Sequence, residues 1–488
     1  MPEKSHCTVP IPYTSLPSFI FGSDHGDVSH DPAYIDCDSQ ETLSFHDFRE
    51  YSLKFAAGLR ANGLQPSGRV LLFSGNDMYF PVIFMGVVMA GGIFSTSNPS
   101  FTARELAQQL RDCQPQFVLA ADPSVALEAV GLAGLKCEVV SLDDWKKFLG
   151  AEDNNLFPSS EEENPRRTIL LLYSSGTTGF PKGVELSHYN LVANCCQLEH
   201  NVQTPQRWLC FLPLYHGLAL LHFTTLAPYL KIPVYIMKRY NLPKMVENTR
   251  KFRITELLLV PPIAISLVKY PVKDLPVRRI ISAAAPLSRE VCEQLEKLWP
   301  VKVEQAWGMT EAASLTIGNG QLMPNCEAKL MDGVEEGRKG ELWIRAPNIM
   351  NGYWRNPKST EEVLTPDGWL KTGDIAYTDQ GKYYIVDRIK ELIKVKGNQV
   401  APAELEALIL EHPHVADAAV IGAKIDDDER PRAYVVPKKG VSLTQQDILK
   451  FVNGKVSKIK WITGGVVFTD TIPKTPVSPS ATEIAIHG

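Results

Sequence analysis

The sequence predicts an α/β protein: a large N-terminal domain of βα subdomains with mostly parallel sheets, followed by a small α+β domain. Three observations carry this. The chain has 488 residues, 44% hydrophobic and 22% charged, an ordinary globular composition too long for one core. Up to about Gly340, runs rich in Val, Ile and Leu alternate with helical patterns, and each run ends in small or polar residues, as strands feeding loops do. Beyond Gly340 the texture changes to short alternating strands and amphipathic helices.

The strands of the first part are "RVLLFSG", "PQFVLAA", "CEVVSL", "RTILLLYSS", "IPVYIM" and "RRIISAAAP". The most apolar run, Tyr79–Phe94, is shorter than a membrane span and holds Pro81 and several glycines, so a buried helix is expected. Asn154–Arg167 is acidic and contains prolines, and reads as a surface connection. Thr168–Tyr173 reads as a strand leading into a glycine-rich loop, and Ser187 is placed to cap a following helix, "HYNLVANCCQL". In the last part, "GELWIRA" and "GKYYIVDR" read as strands, with "TDQG" as a turn before the second. "APAELEALILEHP" reads as a helix with Pro402 in its first turn. "VADAAVIG" and "RAYVVPK" read as strands, and Thr444 with Asp447 opens a capping-box helix.

Composition narrows the function. Net charge is −5 and the isoelectric point near 6.2, with no basic footprint for nucleic acid. Nine scattered cysteines without a CxxC pair read as reduced thiols, not a disulfide framework or zinc site. The start lacks a secretory pattern, no integral membrane segment is read, and the terminal "IHG" does not match a peroxisomal tripeptide. An intracellular, cytoplasmic protein is expected.

The stretch "LLYSSGTTGFPKG" (Leu171–Gly183) carries the chemistry. Its glycines let backbone N–H groups approach a polyanion, its hydroxyls add donors, and Lys182 supplies a point charge. It is not a Walker loop: Pro181 precedes the lysine and glycine follows it, where that pattern needs Ser or Thr at a helix start.

"YSSGTTGFPKGVELSH" resembles the phosphate loop of the adenylate-forming superfamily, which comprises acyl-CoA synthetases, luciferases and peptide-synthetase adenylation domains. Further blocks resembling that family follow in order: "PLYHG", "SAAAPL", "AWGMTE", "GWLKTGDIA" and "VDRIKELIKVKGNQVAPAELE". The resemblance spans roughly residues 35–475 and is greatest to 4-coumarate-type acyl-CoA ligases, a branch that "GGVVFTDTIPKTP" also fits.

The resemblance implies the following roles. The substrates would be a carboxylic acid, ATP and CoA, with Mg²⁺ as the metal. Residues 1–389 would form the N-terminal domain, and residues 390–488 a mobile C-terminal domain hinged near Lys390. Ser174, Ser175, Gly176, Thr177, Thr178, Gly179 and Lys182 would hold the triphosphate, while Ala284, Ala285, Trp307 and Gly308 would line the nucleotide. Thr310 would touch the α-phosphate, and Glu311 would bind Mg²⁺, a hard cation that prefers oxygen. Asp374 would bind the ribose hydroxyls from a strand-end turn, with Arg388 on the same nucleotide. A lone Asp in a "TGD" turn otherwise bonds its own backbone. His216 would gate the acyl pocket, though a lone histidine is by default a satisfied core residue. His222 reads as structural. Lys394, Lys396, Gly397 and Gln399 would serve the thioester step; their other reading is a solvated basic strand edge.

The chain departs from the family near its end. Relatives continue "IPK(S/T)P" into Ser-Gly-Lys, whose lysine contacts the carboxylate and α-phosphate. Aligned on Ile472-Pro473-Lys474, that position is Pro479, which has neither charge nor donor. The segments between "AWGMTE" and "LMPN" and around "VKYPVKDLPVRRI" are also short. Three readings follow: a working acyl-CoA ligase, an adenylation-impaired or repurposed member, and a binding or luciferase-like protein outside thioester chemistry. The first is favoured. Tyr215–Phe223 is apolar apart from His216 and His222, as an aryl or medium-to-long alkyl acid would need; an acid of a specialised (secondary) pathway is the accompanying expectation.

Overall fold

The computed structural model describes residues 2–22, 29–150, 164–174, 181–202, 205–270, 272–331, 339–388, 393–395, 398–400, 402–425, 428–456 and 458–472. The chain divides into two compact units. One comprises Met1–Ala283, Gln294–Ala328 and Ile344–Leu370; the other comprises Ala284–Glu293, Lys329–Trp343 and Lys371–Gly488.

The first unit is built on two sheets. In one, the strand order is Gly352–Tyr353, Lys182–Ser187, Thr168–Ser174, Ile93–Ser97, Arg69–Phe73, Phe117–Ala120 and Glu138–Ser141. From Thr168–Ser174 to Glu138–Ser141 the strands run parallel, while Lys182–Ser187 turns back antiparallel on Thr168–Ser174. The parallel strands read as near-continuous hydrophobic runs because both faces are covered. Leu71, Leu170, Leu171 and Val118 are all fully buried.

The other sheet joins Lys302–Met309, Arg279–Ser282, Glu256–Leu259, Trp208–Cys210, Val234–Ile236 and Pro32–Asp36 in parallel. Its ends are antiparallel: Thr42–Ser44 beyond Pro32–Asp36, and Ser314–Gly318 then Gln321–Leu322 beyond Lys302–Met309. Every strand read from the first part of the sequence is present.

The apolar run Tyr79–Phe94 is not one helix. Phe80–Met89 is helical and buried at every position, but Gly91 (φ 82°) ends it and Ile93–Phe94 begin the strand Ile93–Ser97. No helix among the described residues is long and apolar enough to cross a membrane.

The helix His188–Glu199 starts where Ser187 predicts. The Ser187 hydroxyl accepts from Asn190 N–H, and Asn190 Oδ1 accepts from Ser187 N–H at 2.9 Å, a reciprocal cap. The helix is nearly all buried, so its polar stripe must be satisfied internally. Asn190, Asn194 and Gln197 follow helical spacing and each clasps a distant carbonyl. Asn190 Nδ2 donates to Pro347 O and Ile349 O, Asn194 Nδ2 to Leu315 O, and Gln197 Nε2 to Pro324 O. One buried helix thus anchors the segments on either side of the site described below.

In the second unit, Lys382–Arg388 pairs antiparallel with Leu370–Asp379. Gln380 and Gly381 both take positive φ (48° and 70°), the turn that matches strand twist. Val415–Ile425, Asp428–Pro437 and Val466–Phe468 form a further sheet, and helices Pro402–Leu410 and Gln445–Asn453 cover its core of Leu405, Ile409, Val420, Val435 and Ile448. Thr444 and Asp447 cap each other's backbone N–H, as their spacing predicts.

Candidate active site

Strands of the first unit end at a common chemistry. Thr168–Ser174 leads into residues 175–180, and Lys302–Met309 leads into the single turn Thr310–Ala312. Ligands of α/β sheets bind at the carboxyl ends of the strands. Here Ser174 Oγ donates to Glu311 Oε1 at 3.0 Å, which joins the end of one sheet to the end of the other. Lys182, at the return of the loop, opens a strand rather than a helix, as Pro181 predicts.

Glu311 is only 6% exposed. Burying a carboxylate without partners is expensive. Tyr353 OH donates to the same Oε1 at 2.9 Å, Met350 N–H donates to the Glu311 carbonyl at 2.9 Å, and Asn348 Nδ2 donates to Ala312 O at 2.6 Å. The segment 348–353 therefore grips the Glu311 turn by main chain and side chain. Among the described residues Glu311 Oε2 accepts no hydrogen bond. The Lys182 ammonium lies over the Tyr353 ring, 5.0 Å from its centroid, and forms no ion pair among the described residues. Burial, then the Glu311 charge, pushes the Tyr353 phenol well above the usual range, so it stays a donor. A buried carboxylate with one oxygen saturated and one open suits a hard divalent cation, so the residues fit Mg²⁺.

Gly308 stands just before this turn. A Cβ there would lie 1.7 Å from Ser314 O, so only glycine allows the two antiparallel strands to approach. Trp307 precedes it at a register shift in that pairing. Thr310 begins the short turn, and a Cβ on Gly217 would sit 4.0 Å from its Oγ1. The "PLYHG" and "AWGMTE" blocks are therefore neighbours.

His216 stands at the N-cap position of the short helix Gly217–Leu221, and its side chain makes no cap bond. Its Nε2 is enclosed and has no partner among the described residues, and burial pushes the imidazole down to about 4. It is neutral at neutral pH, with a ring nitrogen available to a ligand. His222 is a core residue, stacked on Trp208 at 4.2 Å and 3.8 Å from Glu256 Oε1. Glu256 in turn pairs with Arg279 at 3.0 Å.

The second unit holds other predicted residues. Asp374 is not at a strand end. It lies within Leu370–Asp379, opposite Arg388, because that strand continues its pairing past the "TGD" triplet. Gly373 (φ 71°) bends the strand just before it. Asp374 is 5% exposed and Arg388 Nε lies 3.5 Å from its Oδ1. Ala284 is exposed at φ 75°, with Ala285 following. Lys394 and Gln399 stand opposite each other in the hairpin of Ile393–Val395 and Asn398–Val400. Ser175, Gly176, Thr177, Thr178, Gly179, Lys390, Lys396, Gly397 and Pro479 lie outside the described residues.

Sequence reasoning missed Tyr353, Asn348 and Asn190. Tyr353 sits in "NGYW", an apolar-aromatic string that reads as packing, and only the fold brings it to Glu311.

Comparisons with known proteins place the chain in a family. Residues 26–354 match the family described as AMP-binding enzyme, and residues 404–478 its C-terminal domain. Peroxisomal OPC-8:0-CoA ligase 1 of Arabidopsis thaliana is 35% identical over 485 residues, covering 91% of this chain and 88% of its own. The 4-coumarate–CoA ligase of Pinus taeda is 35% identical, covering 91% and 89%. The crystal structure of ATP-bound MatB from Rhodopseudomonas palustris superposes with TM-score 0.85 at 26% identity, covering 95% of this chain and 96% of that one.

Proposed function

Because the chain belongs to the AMP-binding enzyme family, among its AMP-forming acyl-CoA ligases, we propose that it joins a carboxylic acid to CoA at the expense of ATP. A carboxylate oxygen attacks the α-phosphorus, pyrophosphate leaves, and an acyl-adenylate forms. The CoA thiolate then attacks the acyl carbonyl and AMP leaves. The observation that carries this reading is the Ser174–Glu311–Tyr353 cluster with Lys182 beside it, at the carboxyl ends of two sheets.

The roles follow from charge. Residues 174–182 hold the β and γ phosphates, with Lys182 opposing the charge that grows on the leaving pyrophosphate. Glu311 holds Mg²⁺, which supplies Lewis-acid stabilisation of phosphoryl oxygens. Thr310 contacts the α-phosphate. Ala284, Ala285, Trp307 and Gly308 line the nucleotide. Asp374 holds the ribose hydroxyls with Arg388 beside it. His216, neutral and with an open nitrogen, borders the acyl group. Lys394, Lys396, Gly397 and Gln399 serve the thioester step, once residues 390–488 turn about Lys390. The stretch Tyr215–Phe223, apolar apart from His216 and His222, favours an aryl or alkyl acid.

The test is ATP–pyrophosphate exchange over a panel of aryl and alkyl acids, with and without CoA, and acyl-CoA detection by mass spectrometry. Absence of any carboxylate-dependent pyrophosphate release defeats the reading. One sequence feature motivates a second: Pro479 falls where the family pattern would place a lysine, so adenylation would be slow while thioester formation from preformed acyl-AMP persists. Pro479→Lys then raises pyrophosphate release; an unchanged rate removes this second reading.

A further inference from the structure

Glu311 is a charged group held off balance. Two hydroxyls, Ser174 Oγ and Tyr353 OH, donate to one oxygen, Oε1, at 3.0 and 2.9 Å. The other oxygen accepts nothing among the described residues. A buried carboxylate normally collects a cation or donors on both oxygens. A cation is near: Lys182 lies 5.0 Å from the centroid of the Tyr353 ring. Yet Lys182 rests on the face of that ring while Glu311 is bonded to its hydroxyl. One aromatic side chain thus holds an ammonium by its π-face and a carboxylate by its edge, and the two do not pair.

Tyr353 is itself well fixed. It is 8% exposed, its N–H donates to Thr360 Oγ1 at 2.9 Å, and its strand Gly352–Tyr353 pairs with Val184 and Glu185, just beyond Lys182. Backbone pairing therefore sets the place of the Tyr353 ring beside Lys182.

We infer that Tyr353 is a positioning residue: its hydroxyl pins Glu311 Oε1 so that Oε2 would be left to hold a divalent cation, and its ring keeps Lys182 from neutralising that carboxylate. This rests on the acyl-CoA ligase reading for its purpose, but not for its measurement. A free Glu311 would rotate toward Lys182, and the attraction of adjacent opposite charges in a buried site would close the metal position.

The experiment is a Mn²⁺ titration followed by electron paramagnetic resonance, with saturating α,β-methylene-ATP, which cannot be cleaved at the α-phosphorus. Tyr353→Phe keeps the ring, its packing and the lysine contact, and removes only the hydroxyl. Its expected effect is about 10-fold weaker Mn²⁺ binding, the size of one lost hydrogen bond to a charged group. Metal-free nucleotide binding and far-UV circular dichroism stay as in the parent protein. Ser174→Ala removes the other donor to the same oxygen and weakens Mn²⁺ in the same direction. Mn²⁺ affinity within twofold of the parent in Tyr353→Phe overturns the inference. If Tyr353→Phe does not fold, 4-fluorophenylalanine at position 353, which fills the space of the hydroxyl without donating, decides by the same criterion. A parent protein that binds Mn²⁺ with nucleotide but shows no carboxylate-dependent pyrophosphate release defeats the proposed function and leaves the Tyr353 inference to the titration.

Discussion

Gly308→Ala is the sharpest perturbation of this site by a single carbon. The added Cβ would stand 1.7 Å from Ser314 O, 2.5 Å from Ser314 C and 2.7 Å from Leu315 Cα. All three are backbone atoms, so no side chain can swing aside. A carbon–oxygen contact needs ~3.3 Å, so the strands must separate by about 1.5 Å. The turn that closes them is already committed, with Ala313 at φ 43° and Ser314 at φ 85°. Overpacking alone costs about 1–3 kcal/mol, and the lost ladder bonds add to it. The displaced residues lead straight into Thr310 and Glu311, and a misplacement of ~1 Å at reacting groups lowers rate about 100-fold. The expected outcome is a destabilisation of about 3 kcal/mol in urea unfolding and loss of Mn²⁺–nucleotide binding. Gly318→Ala is the control, since its Cβ would meet only the tip of the Met323 side chain, Cε at 2.7 Å and Sδ at 3.8 Å. That flexible tip can move, so the cost should stay below about 1 kcal/mol. Equal stability of the two variants, with metal binding intact in Gly308→Ala, would refute the packing argument.

Three further outcomes are expected. Asn190→Ala removes half of a capping box and leaves two partly buried carbonyls, Pro347 O and Ile349 O, without their donor, and should cost about 1–3 kcal/mol in urea unfolding; a loss under about 0.5 kcal/mol contradicts it. Burial pushes His188 and His222 down to about 3, helped by Arg167 and Arg279 respectively, so the unfolded chain protonates first as pH falls below its ordinary value. Stability is complete above about pH 6.5 and declines toward pH 3, each histidine removing on the order of 2 kcal/mol by pH 5; a flat profile of urea midpoints between pH 7.5 and 5 would contradict this. Asp374→Ala should weaken ATP binding about 10-fold or more while leaving 2′,3′-dideoxy-ATP unaffected, and equal losses for both nucleotides would remove Asp374 from the ribose.

The fold was legible wherever one period dominated. Parallel strands such as Val70–Phe73 and Leu170–Leu172 are buried on both faces, so a plain apolar run marks them. Thr444 and Ser187 marked helix starts because capping is local chemistry, with donor and acceptor only three residues apart. Tyr79–Phe94 misled for the same reason in reverse. A buried helix and a buried strand look alike as apolar runs, and only Gly91 with Gly92 marks the break. "TGD" reads as a strand-end turn, but the strand Leu370–Asp379 runs through it and pairs with Lys382–Arg388 from Asp374 onward.

The site divides along the same line. Ser174, Lys182 and Glu311 stood out because their motifs are continuous strings with a chemical rationale. Tyr353 did not, because its meaning depends on a partner forty-two residues earlier that the sheet brings within 2.9 Å. Its neighbours are equally remote: Ser174 reaches Glu311 across 137 positions, and Asn190 reaches Ile349 across 159. A motif names the groups that meet the substrate. It does not name the groups that stop those from meeting each other. In a cluster holding both an ammonium and a carboxylate, collapse into an ion pair is the default, so something must hold them apart. Here that is an aromatic ring with a hydroxyl, and no local pattern in the sequence announces it.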